Sequence, residues 1–491
     1  MAYERLYSAE EMRAAEAAYP GPTLELMERA GGSVVEEILR RFPDARRVAV
    51  WCGAGANGGD GLVVARELAR ARREASVRLL GPEDKFAGDA AVVLQRAKEA
   101  GVPFESEIGP ADLAVDALFG TGFSGKPRPE AEQAIAELNA GSVPIVAVDL
   151  PSGVDASTGR VADSAVEATV TVTFHAPKVG HVIAPGRFHV GELVVADIGL
   201  SGIETRLARA TAEILEHVPR RTERDNKYSA GSVLVVGGSR GLTGAPSLTS
   251  EAALRAGAGI VTACVPASLN LVFEQRLVEV MTRPCPDEEG VLTPDAADEI
   301  QLAAERVRAV ALGPGLGRTD GTRALVGFLL DRLDKPLVLD ADGLWALAGH
   351  LDWVFSRDAA TVLTPHAGEL GRLLDRSSAW VSANRLDAVQ AGADDTGTVV
   401  LLKGADTLVA GPGQQPVVAD LGSPGLATAG SGDVLTGVVG AFLAKGMEAG
   451  AAAAAAAAAC GVASHLAAER HGPAGMIARD VVESLSPALS A

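Results

Sequence analysis

A glycine-rich turn carrying one carboxylate precedes an apolar run near the end of the chain. Within residues 423–437, Gly430 and Gly432 flank Ser431, and Asp433 follows directly. Glycines let backbone N–H groups approach an anion closely, and a helix beginning near Asp433 would add the positive end of its dipole. A carboxylate beside a phosphate is repelled unless it acts as a base or holds a cation. The pattern indicates phosphoryl chemistry, the alternative being an Asp N-cap after a turn.

A second glycine loop lies in the first half of the chain, between a predicted strand at 48–52 and a predicted helix starting at Leu62. Residues 53–61 match the spacing GxGxxG, which fits a pyrophosphate over a strand-to-helix turn. No acidic residue closes the next predicted strand, 76–80, as a dinucleotide-binding Rossmann unit requires. Ordinary NAD-dependent dehydrogenase chemistry is therefore disfavoured, and Asp60 suits a hydroxyl or a cation better than a phosphate.

Two carboxylates, Asp116 and Asp149, end further predicted strands of the first half. The carboxyl ends of parallel strands meet at one edge of a sheet, beside the glycine loop, where ligands of open α/β sheets bind. Each carboxylate alone is more often a helix N-cap or a turn former. Together with Asn57 and Ser152 they favour a site for phosphate and a monovalent cation, next to the flexible loop 117–128.

Five predicted strand ends in the second half carry glycine, Asp, His or Lys. These strand ends are residues 237–239, 313–317, 340–343, 364–366 and 403–406. A purely structural sheet has no need for Lys403 or His366 at such positions, although a single histidine there is normally a satisfied turn residue.

Composition and charge limit the class of protein. The 491 residues are too many for one hydrophobic core and favour two domains. A hydrophobic content of 47% with 56 glycines, and strands alternating with Ala/Leu-rich helices, favours an α/β fold with parallel sheets. The net charge of −19 argues against nucleic acid or an anionic membrane as partner. Charge and a proline predict a linker at 216–227, between domains at 1–215 and 228–491.

The remaining features concern compartment and assembly. Four cysteines lie far apart without a CxxC pair, which favours a reducing compartment over a disulfide framework or a zinc ribbon. The N-terminus is acidic and lacks an apolar core, so we expect a cytoplasmic protein without a secretory signal. Alanine is weakly apolar and the best helix former, so the run 451–459 predicts a packed soluble helix and not a membrane span. We expect a homo-oligomer, although the small side chains of 451–468 permit close helix contact within a subunit as readily as between subunits.

Two sets of motifs resemble the two domains of the bifunctional NAD(P)H-hydrate repair enzymes. The set that resembles the epimerase domain comprises residues 57–61, 116–126 and 148–153. The set that resembles the ADP-dependent dehydratase domain, of the ribokinase-like superfamily, comprises residues 313–317, 364–366, 403–406 and 430–433. Because both sets occur in the expected order over nearly the whole chain, the resemblance implies an N-terminal Rossmann-like three-layer domain and a C-terminal ribokinase-like domain.

The resemblance implies two activities on small-molecule substrates. The first domain would interconvert the R and S forms of NADHX and NADPHX, the hydrated nicotinamide cofactors. The second would dehydrate the S form to NADH or NADPH, with ADP as co-substrate, Mg²⁺ and K⁺ as ions, and AMP and phosphate as products. The residues leave open the preference between NADHX and NADPHX, and ADP over ATP follows from the resemblance only.

The resemblance also implies the residues of each site, with Asp149 as acid/base at the ring and Asp433 facing the reacting hydroxyl. The residues implied to bind the hydrated cofactor in the first domain are Ala56, Asn57, Gly58, Gly59, Asp60, Gly120, Thr121, Gly122, Phe123, Ser124, Gly125, Lys126 and Asp149. The residues implied to bind the substrate in the second domain are Ala245, Gly317, His366 and Asp433. The residues implied to bind the adenine nucleotide are Lys403, Gly404, Ala405, Asp406, Thr407 and Gly432, and those implied to surround K⁺ are Asn57, Asp116 and Ser152. Ala56 departs from the family, whose members usually have asparagine there.

Elementary chemistry accords with these roles. Hydroxide is a poor leaving group, so phosphorylation of the C6 hydroxyl makes its departure feasible, with Asp433 removing the proton. Glycine amides, Lys403 and Mg²⁺ would offset the charge on the transferred phosphoryl group. Epimerisation needs only reversible bond breaking beside the ring nitrogen, and Asp149 can shuttle the proton if desolvation raises its pKa.

Two other functions remain open at this point. One is a ribokinase-like small-molecule kinase fused to a non-catalytic nucleotide-binding domain, which would release a stable phosphorylated product. The other is a non-enzymatic nucleotide-binding role for the first half. The predicted convergence of Asp116, Asp149 and Lys126 in one cleft argues against the second of these.

Overall fold

The computed structural model describes residues 1–107 and 109–490 and divides the chain into two compact units. The first unit comprises residues 5–207, and the second comprises residues 1–4 together with the chain from residue 208 onward. Strands alternate with helices in both units. The expected α/β fold is therefore confirmed.

The strands, in chain order, are β1 (Tyr3–Leu6), β2 (Arg47–Cys52), β3 (Glu74–Leu79), β4 (Leu113–Ala117), β5 (Ile145–Val148), β6 (Val170–Phe174), β7 (Glu192–Ala196), β8 (Leu207–Ala210), β9 (Ser232–Val236), β10 (Ile260–Pro266), β11 (Met281–Cys285), β12 (Asp287–Glu288), β13 (Val291–Leu292), β14 (Ala309–Leu312), β15 (Leu337–Leu339), β16 (Thr361–Leu363), β17 (Val399–Leu402), β18 (Thr407–Ala410) and β19 (Val417–Ala419).

The α-helices are α1 (Ala9–Ala17), α2 (Thr23–Arg41), α3 (Ala56–Arg70), α4 (Asp89–Glu99), α5 (Pro129–Ala140), α6 (Val179–Val182), α7 (Gly244–Arg255), α8 (Asn270–Arg276), α9 (Ala297–Ala304), α10 (Asp320–Arg332), α11 (Asp342–Leu347), α12 (Asp352–Phe355), α13 (Ala367–Leu373), α14 (Ser378–Ala383), α15 (Arg385–Thr396), α16 (Ser431–Ala444), α17 (Ala449–His471) and α18 (Ala478–Ser490). Short 3₁₀ turns lie at Glu83–Lys85, Gly186–His189, Ala212–His217, Ala267–Leu269, Pro294–Ala296 and Pro424–Leu426.

The first unit contains a parallel sheet of strand order β3-β2-β4-β5-β6-β7. Successive side chains of a strand point to opposite faces. Along β4, Val115 packs in the core cluster that includes α2, α3 and α4, whereas Ala114 packs in the cluster that includes α5. Helices therefore cover both faces, and the carboxyl ends of β2, β4 and β5 gather at one edge.

The second unit contains a mixed sheet of strand order β1-β8-β19-β18-β17-β16-β15-β14-β9-β10-β11, with a separate hairpin of β12 and β13. The strands from β17 to β11 run parallel, while β18 is antiparallel to both of its neighbours. Ala309 and Ala311 on β14 pack in the cluster that contains α16 and α17. Val310 and Leu312 point to the opposite face and are also fully buried.

The alanine-rich run lies in helix α17 at the core of the second unit. By length and composition this helix could cross a membrane, but 67% of its most apolar window is buried inside the structure. Ala452–Ala456, Ala458 and Ala459 belong to the same core cluster as α16. The methyl groups of α17 therefore pack against protein, as expected of a packed helix.

The segment where the sequence predicts a linker begins inside the second unit. The 3₁₀ turn Ala212–His217 buries Ile214 and Leu215 in the core cluster of that unit, and Val218 joins them. These apolar side chains follow strand β8, and the main part of the second compact unit begins at residue 208. The domain limits 1–215 and 228–491 stay a prediction.

Replacing Gly437 with alanine is expected to destabilise the second unit by roughly 1–3 kcal/mol. The reason is close packing of α16 on α7, because a methyl group at Gly437 would overlap the carbonyl oxygen of Thr249. Urea unfolding followed by tryptophan fluorescence measures this change, since Trp345, Trp353 and Trp380 lie in the second unit.

Gly440, on the same helix, provides the matched control. A methyl group there would meet Val233 at 3.5 Å, an ordinary contact. Alanine is also the better helix former by about 1 kcal/mol, so Gly440→Ala should be neutral or stabilising. Equal destabilisation by the two substitutions would contradict the close packing at Gly437.

Candidate active sites

The glycine-rich segment of the first unit is the first turn of a helix and not the loop expected from sequence. Helix α3 begins at Ala56 with Gly55 as its cap, so the turn carries Asn57 and Asp60. The glycines serve close packing, since a Cβ at Gly58 would overlap the carbonyl oxygen of Gly53 and a Cβ at Gly61 would lie 2.5 Å from the Cβ of Ala117 on β4. The expectation of a loop up to Leu62 is therefore wrong, because tertiary packing of the glycines outweighs their low helix propensity.

A cavity of about 930 Å³ opens above this turn. Its volume lies in the range of cofactor sites. Of the residues predicted to bind the hydrated cofactor, those that line this cavity are Ala56, Asn57, Asp60, Gly120, Thr121, Gly122, Phe123, Ser124, Lys126 and Asp149. Gly58 and Gly59 instead contact Gly53 and Met27, and Gly125 lies in the same loop as Lys126 with a left-handed backbone of φ 77°. The structure thus brings most of the predicted set to one cavity.

Asp149 is fixed at the carboxyl end of β5 by contacts to both of its carboxylate oxygens. Thr121 donates its backbone N–H to Oδ2 at 3.0 Å, while the Thr173 hydroxyl, at 3.0 Å, and Lys178 Nζ, at 2.9 Å, contact Oδ1. The backbone of Asp149 is left-handed, with φ 66°. A non-glycine residue holds this conformation only where its surroundings determine it.

The pKa of Asp149 lies below its usual value. Burial raises the pKa, but Lys178, His181 and the N–H of Thr121 together lower it by more. The expectation that desolvation raises the pKa of Asp149 is therefore wrong. Asp149 is held as an anion that can accept a proton at neutral pH.

Lys178 is the residue of this site that the sequence reasoning missed. Its side chain is 1% exposed, and Nζ donates to the Thr173 hydroxyl at 2.7 Å and to the Phe174 carbonyl at 2.9 Å besides contacting Asp149. A buried lysine is costly unless its charge is paired and hydrogen-bonded. The available signal was a lone lysine in the otherwise uncharged segment 176–180 that follows a strand.

Two further carboxyl groups, those of Glu16 and Asp60, line the same cavity. Burial, and then the charge of Asp149, raise the pKa of both, and Lys178 offsets this only in part. The cavity therefore contains carboxyl groups whose pKa values are shifted in opposite directions. Such a pair can supply a proton acceptor and a proton donor at the same pH.

The three residues predicted to hold K⁺ lie beneath the loop that begins at Phe119. Asp116 is fully buried and accepts the N–H of Ser152 at 2.7 Å and its hydroxyl at 2.6 Å. Burial raises the pKa of Asp116 to about 6, with the bonds from Ser152 partly opposing this. Ser152 Oγ also accepts the N–H of Phe119 at 2.9 Å.

The side chain of Asn57 is buried and its amide oxygen and nitrogen have no hydrogen-bond partner among the described residues. Buried polar groups nearly always have a hydrogen-bond partner or a bound ion, so we expect a ligand or an ion to contact this amide. A Cβ at Gly120 would lie 2.9 Å from Asn57 Oδ1 and 2.8 Å from Asp149 Oδ2, so these oxygens face the same space. Amide, hydroxyl and carboxylate oxygens are hard donors, and they fit a hard cation such as K⁺.

In the second unit, the glycine turn near the C-terminus caps helix α16, as predicted. Gly430 is the cap with φ 92°, and Asp433 lies in the first turn. Lys403 follows β17, and a Cβ at Gly432 would lie 3.4 Å from its Nζ. The start of α16 therefore brings together its free N–H groups, the ammonium of Lys403 and the carboxylate of Asp433. This arrangement can bind an anion beside a group that reacts with it.

Asp433 has a strongly shifted pKa. Burial and the charges of Asp340 and Asp342 raise it to about 7, with Lys403 opposing them. A carboxylate with this pKa is a strong base that is still half ionised at neutral pH.

Lys403 is bound between two carboxylates. Its Nζ contacts Asp340 Oδ1 at 2.8 Å and Glu369 Oε2 at 3.8 Å. Burial lowers the pKa of Lys403, but Asp340 and Glu369 raise it by more, so the ammonium stays charged. The other oxygen of Asp340 accepts the hydroxyl of Thr436 on α16 at 2.7 Å.

The remaining predicted substrate residues lie at helix starts and strand ends around α16. Gly317 donates its N–H to Asp342 at 2.9 Å, and Ala245 lies in the first turn of α7. His366 caps α13, where its Nδ1 accepts the N–H groups of Gly368 and Glu369. The turn role of His366 is therefore satisfied locally, while its side chain is still 58% exposed.

The predicted nucleotide residues after Lys403 lie between β17 and β18. Thr407 donates its hydroxyl to the Gly404 carbonyl at 3.0 Å, and Ala405 follows Gly404 in the same turn. Asp406 is buried, and its carboxylate binds the guanidinium of Arg385 at 2.8 Å. The Asp406 carboxylate therefore orders the turn.

Replacing Asp433 with asparagine is expected to stabilise the second unit, and more at pH 8 than at pH 5. The folded state raises the pKa of Asp433 to about 7. The stability of the wild type therefore falls as pH rises from the unfolded value towards 7, and asparagine escapes this loss. The gain should grow by on the order of 2 kcal/mol between the two pH values, measured by urea unfolding.

Asp420→Asn is the matched control, because Asp420 is also buried in the second unit but is bound by Arg209 at 2.7 Å. That substitution should destabilise at both pH values. A gain for Asp433→Asn that does not depend on pH would contradict the shifted pKa.

Two family models match the chain, one in each unit. A model described as YjeF-related protein N-terminus matches residues 23–180, and one described as NAD(P)H-hydrate dehydratase matches residues 233–487. Among solved structures, the ADP/ATP-dependent NAD(P)H-hydrate dehydratase from Bacillus subtilis, co-crystallised with ATP and Mg²⁺, has a TM-score of 0.50 at 26% identity. It covers 57% of this chain and 96% of that protein. A ribokinase-like protein from Enterococcus faecalis, 21% identical with a TM-score of 0.50, shares the fold over 59% of this chain and 98% of its own.

Full-length relatives carry both parts in the same order. The bifunctional NAD(P)H-hydrate repair enzyme Nnr of Moorella thermoacetica is 41% identical over 496 residues, covering 96% of this chain and 93% of the relative. Its counterpart in Salinibacter ruber is 36% identical, covering 95% and 92%. The resemblance found in the motifs is confirmed, and the chain belongs to the family of bifunctional NAD(P)H-hydrate repair enzymes.

Proposed function

We propose that this chain repairs hydrated nicotinamide cofactors by two reactions. The first unit epimerises the R and S forms of NADHX and NADPHX, and the second dehydrates the S form to NADH or NADPH while ADP is converted to AMP and phosphate. The observation that carries the proposal is that both family models match one chain in order, each over a unit with its own reactive carboxylate.

In the dehydration, Asp433 accepts the proton of the C6 hydroxyl as the oxygen attacks the phosphoryl group. A pKa of about 7 suits this role at neutral pH. Lys403 and the N–H groups at the start of α16 offset the charge of the transferred group. The phosphorylated oxygen then leaves as phosphate while the electron pair of the ring nitrogen forms a C6=N double bond. Loss of a proton from C5 to water then forms the C5=C6 double bond and completes the dihydronicotinamide.

Magnesium fits this site as a companion of the nucleotide. The described residues contain no group of three His, Cys, Asp or Glu side chains that could hold a metal ion. Mg²⁺ commonly binds through substrate phosphates and keeps few protein ligands. When bound, it would neutralise charge on the phosphates, which accords with the Bacillus subtilis dehydratase crystallised with ATP and Mg²⁺.

In the epimerisation, Asp149 accepts the proton of the C6 hydroxyl as C6 becomes a carbonyl carbon. The bond between C6 and the ring nitrogen opens, and its electron pair passes to the nitrogen. Lys178 stabilises the anionic form of Asp149 before this step. Closure on the other face returns the proton, which exchanges the configuration at C6 without net change. Asn57, Asp116 and Ser152 would hold K⁺, whose charge would stabilise the loop that starts at Phe119.

The proposal extends to nucleotide preference, location and assembly. ADP is proposed as the preferred co-substrate, the protein is proposed to be a cytoplasmic homo-oligomer, and neither nucleic acid nor membrane is proposed as a partner. The net charge of −19 and the four buried thiols support these statements. We keep 1–215 and 228–491 as the proposed domain limits, joined by 216–227.

The deciding experiment supplies purified (S)-NADHX with ADP, with ATP or with neither, in Mg²⁺ and K⁺, and follows NADH absorbance. NADH should form with ADP and not without nucleotide. A stable phosphorylated product would instead support the small-molecule kinase. Persistence of the hydrate under all three conditions would end the dehydratase proposal.

Replacing Asp149 with asparagine should abolish exchange between the R and S forms, while dehydration of the S form by the second unit continues. Chromatographic separation of the two epimers measures the exchange, and NADH absorbance measures the dehydration. Loss of both activities would point to damage of the fold, and unchanged exchange would remove Asp149 from the mechanism.

Replacing Lys178 with methionine should move the acidic limb of the epimerisation rate to higher pH. Without the ammonium, only His181 and the N–H of Thr121 oppose the effect of burial, so the pKa of Asp149 rises and less of the anion is present at pH 6. The rate measured from pH 5 to 9 tests this. Arg66→Met is the control, since Arg66 is a buried cation paired with Glu28 and Glu67, and its loss should lower stability without shifting the pH profile.

A further inference from the structure

Asp340 lies at the carboxyl end of β15, and it is a residue to which none of the roles above is assigned. It is 1% exposed, and its backbone N–H donates to the Leu312 carbonyl at 3.1 Å. Its two carboxylate oxygens have different partners on different elements. Oδ1 contacts Lys403 Nζ after β17 at 2.8 Å, and Oδ2 accepts the hydroxyl of Thr436 on α16 at 2.7 Å.

These two contacts connect the cationic and basic groups of the second site. Thr436 lies on α16 just beyond Asp433, and its hydroxyl also contacts the Gly432 carbonyl at 3.0 Å. Lys403 Nζ also lies close to Gly432, 3.4 Å from the position of an added Cβ. One buried carboxylate therefore holds the ammonium and the first turns of the helix in a single arrangement.

We propose that Asp340 is a positioning residue for the dehydration, which ties Lys403 to helix α16 beside Asp433. This inference rests on the proposed function of the second unit. Asp340 need not touch the substrate to act, since its contacts are to Lys403 and Thr436.

Electrostatics support this role. After burial, the charge of Asp340 is the largest cause that raises the pKa of Asp433, ahead of Asp342. Lys403 lowers the pKa of Asp433, and Asp340 is also the first partner that keeps Lys403 charged. Because Lys403 is paired with Asp340, its charge lowers the pKa of Asp433 less than an unpaired ammonium would.

The other charged groups around this site have partners of their own. Asp342 on α11 binds Arg318 at 2.8 Å, and Glu369 on α13 binds the backbone N–H of His366 at 2.9 Å. The charged side chains of α7 and α18, which also pack on α16, include Glu251 and Arg479, and these two lie 3.8 Å apart. Asp340 is the carboxylate that contacts both Lys403 and α16.

The test compares Asp340→Asn with the wild type in the full-length chain, with (S)-NADHX and ADP from pH 5 to 9. Removing the negative charge lowers the pKa of Asp433, so the acidic limb of kcat should move to lower pH by about one unit. The plateau of kcat should fall about tenfold, because the base is weaker. KM for the substrate should change less than about twofold, since no substrate contact is lost.

Two further variants distinguish a positioning role of Asp340 from a general loss of folding. Thr436→Val keeps the charge of Asp340 but removes its contact to α16, so kcat should fall several-fold with the acidic limb near pH 7. Asp420→Asn removes another buried, paired carboxylate of the same unit and should leave the limb in place. Epimerisation by the first unit is the internal measure of active protein in each sample.

The outcomes are distinct. If the wild type fails to form NADH, the proposed dehydratase function fails. If the wild type is active and Asp340→Asn keeps its pH profile and kcat, the positioning role is overturned. If Asp340→Asn does not fold, Thr436→Val decides. An unchanged kcat in Thr436→Val overturns the coupling of Lys403 to α16, whereas a reduced kcat with the acidic limb of the pH profile unchanged supports it.

Discussion

An ion pair between a lysine and a buried carboxylate organises each of the two sites. Lys178 binds Asp149 at 2.9 Å in the first unit, and Lys403 binds Asp340 at 2.8 Å in the second. Removing such charges from water is costly, and the cost is recovered only with good geometry and further hydrogen bonds. Both pairs meet this condition, because Thr173 and Thr436 complete them.

The two pairs have opposite consequences for the reactive carboxylate. In the first unit the lysine binds the reactive group itself, so the pKa of Asp149 falls below its usual value. In the second unit the lysine is bound by a neighbour, Asp340, and burial together with the charge of Asp340 raises the pKa of Asp433 to about 7. The same residue types at similar strand ends therefore produce one fixed anion, Asp149, and one strong base, Asp433. Which of the two results depends on whether the lysine binds the reactive carboxylate or its neighbour.

Sequence reasoning could predict the strands and the place of the sites, because both depend on local pattern. The apolar runs Ala309–Leu312 and Leu337–Leu339 are strands with the predicted limits, and the carboxylates lie at the ends expected of parallel strands. It could not predict the pKa of Asp149, which depends on Lys178, a residue brought to β5 from beyond β6 by the fold. The start of α3 was missed for the same reason, since a Cβ at Gly61 would lie only 2.5 Å from the Cβ of Ala117 on β4, and this tertiary packing is not visible in the local sequence.

The different electrostatics suit the different chemistry of the two reactions. Transfer of a phosphoryl group to an alcohol is favoured by the strongest base that is still ionised, which a pKa near 7 provides. Epimerisation is reversible at one carbon, so it needs a proton acceptor and a separate proton donor at the same time. Asp149 is held as the acceptor, while burial and its charge raise the pKa values of Glu16 and Asp60 in the same cavity. Because one lysine faces three carboxyl groups in this cavity, the charge of Asp149 favours the protonated forms of Glu16 and Asp60, and the donor is thereby supplied by the same charge imbalance that fixes the acceptor.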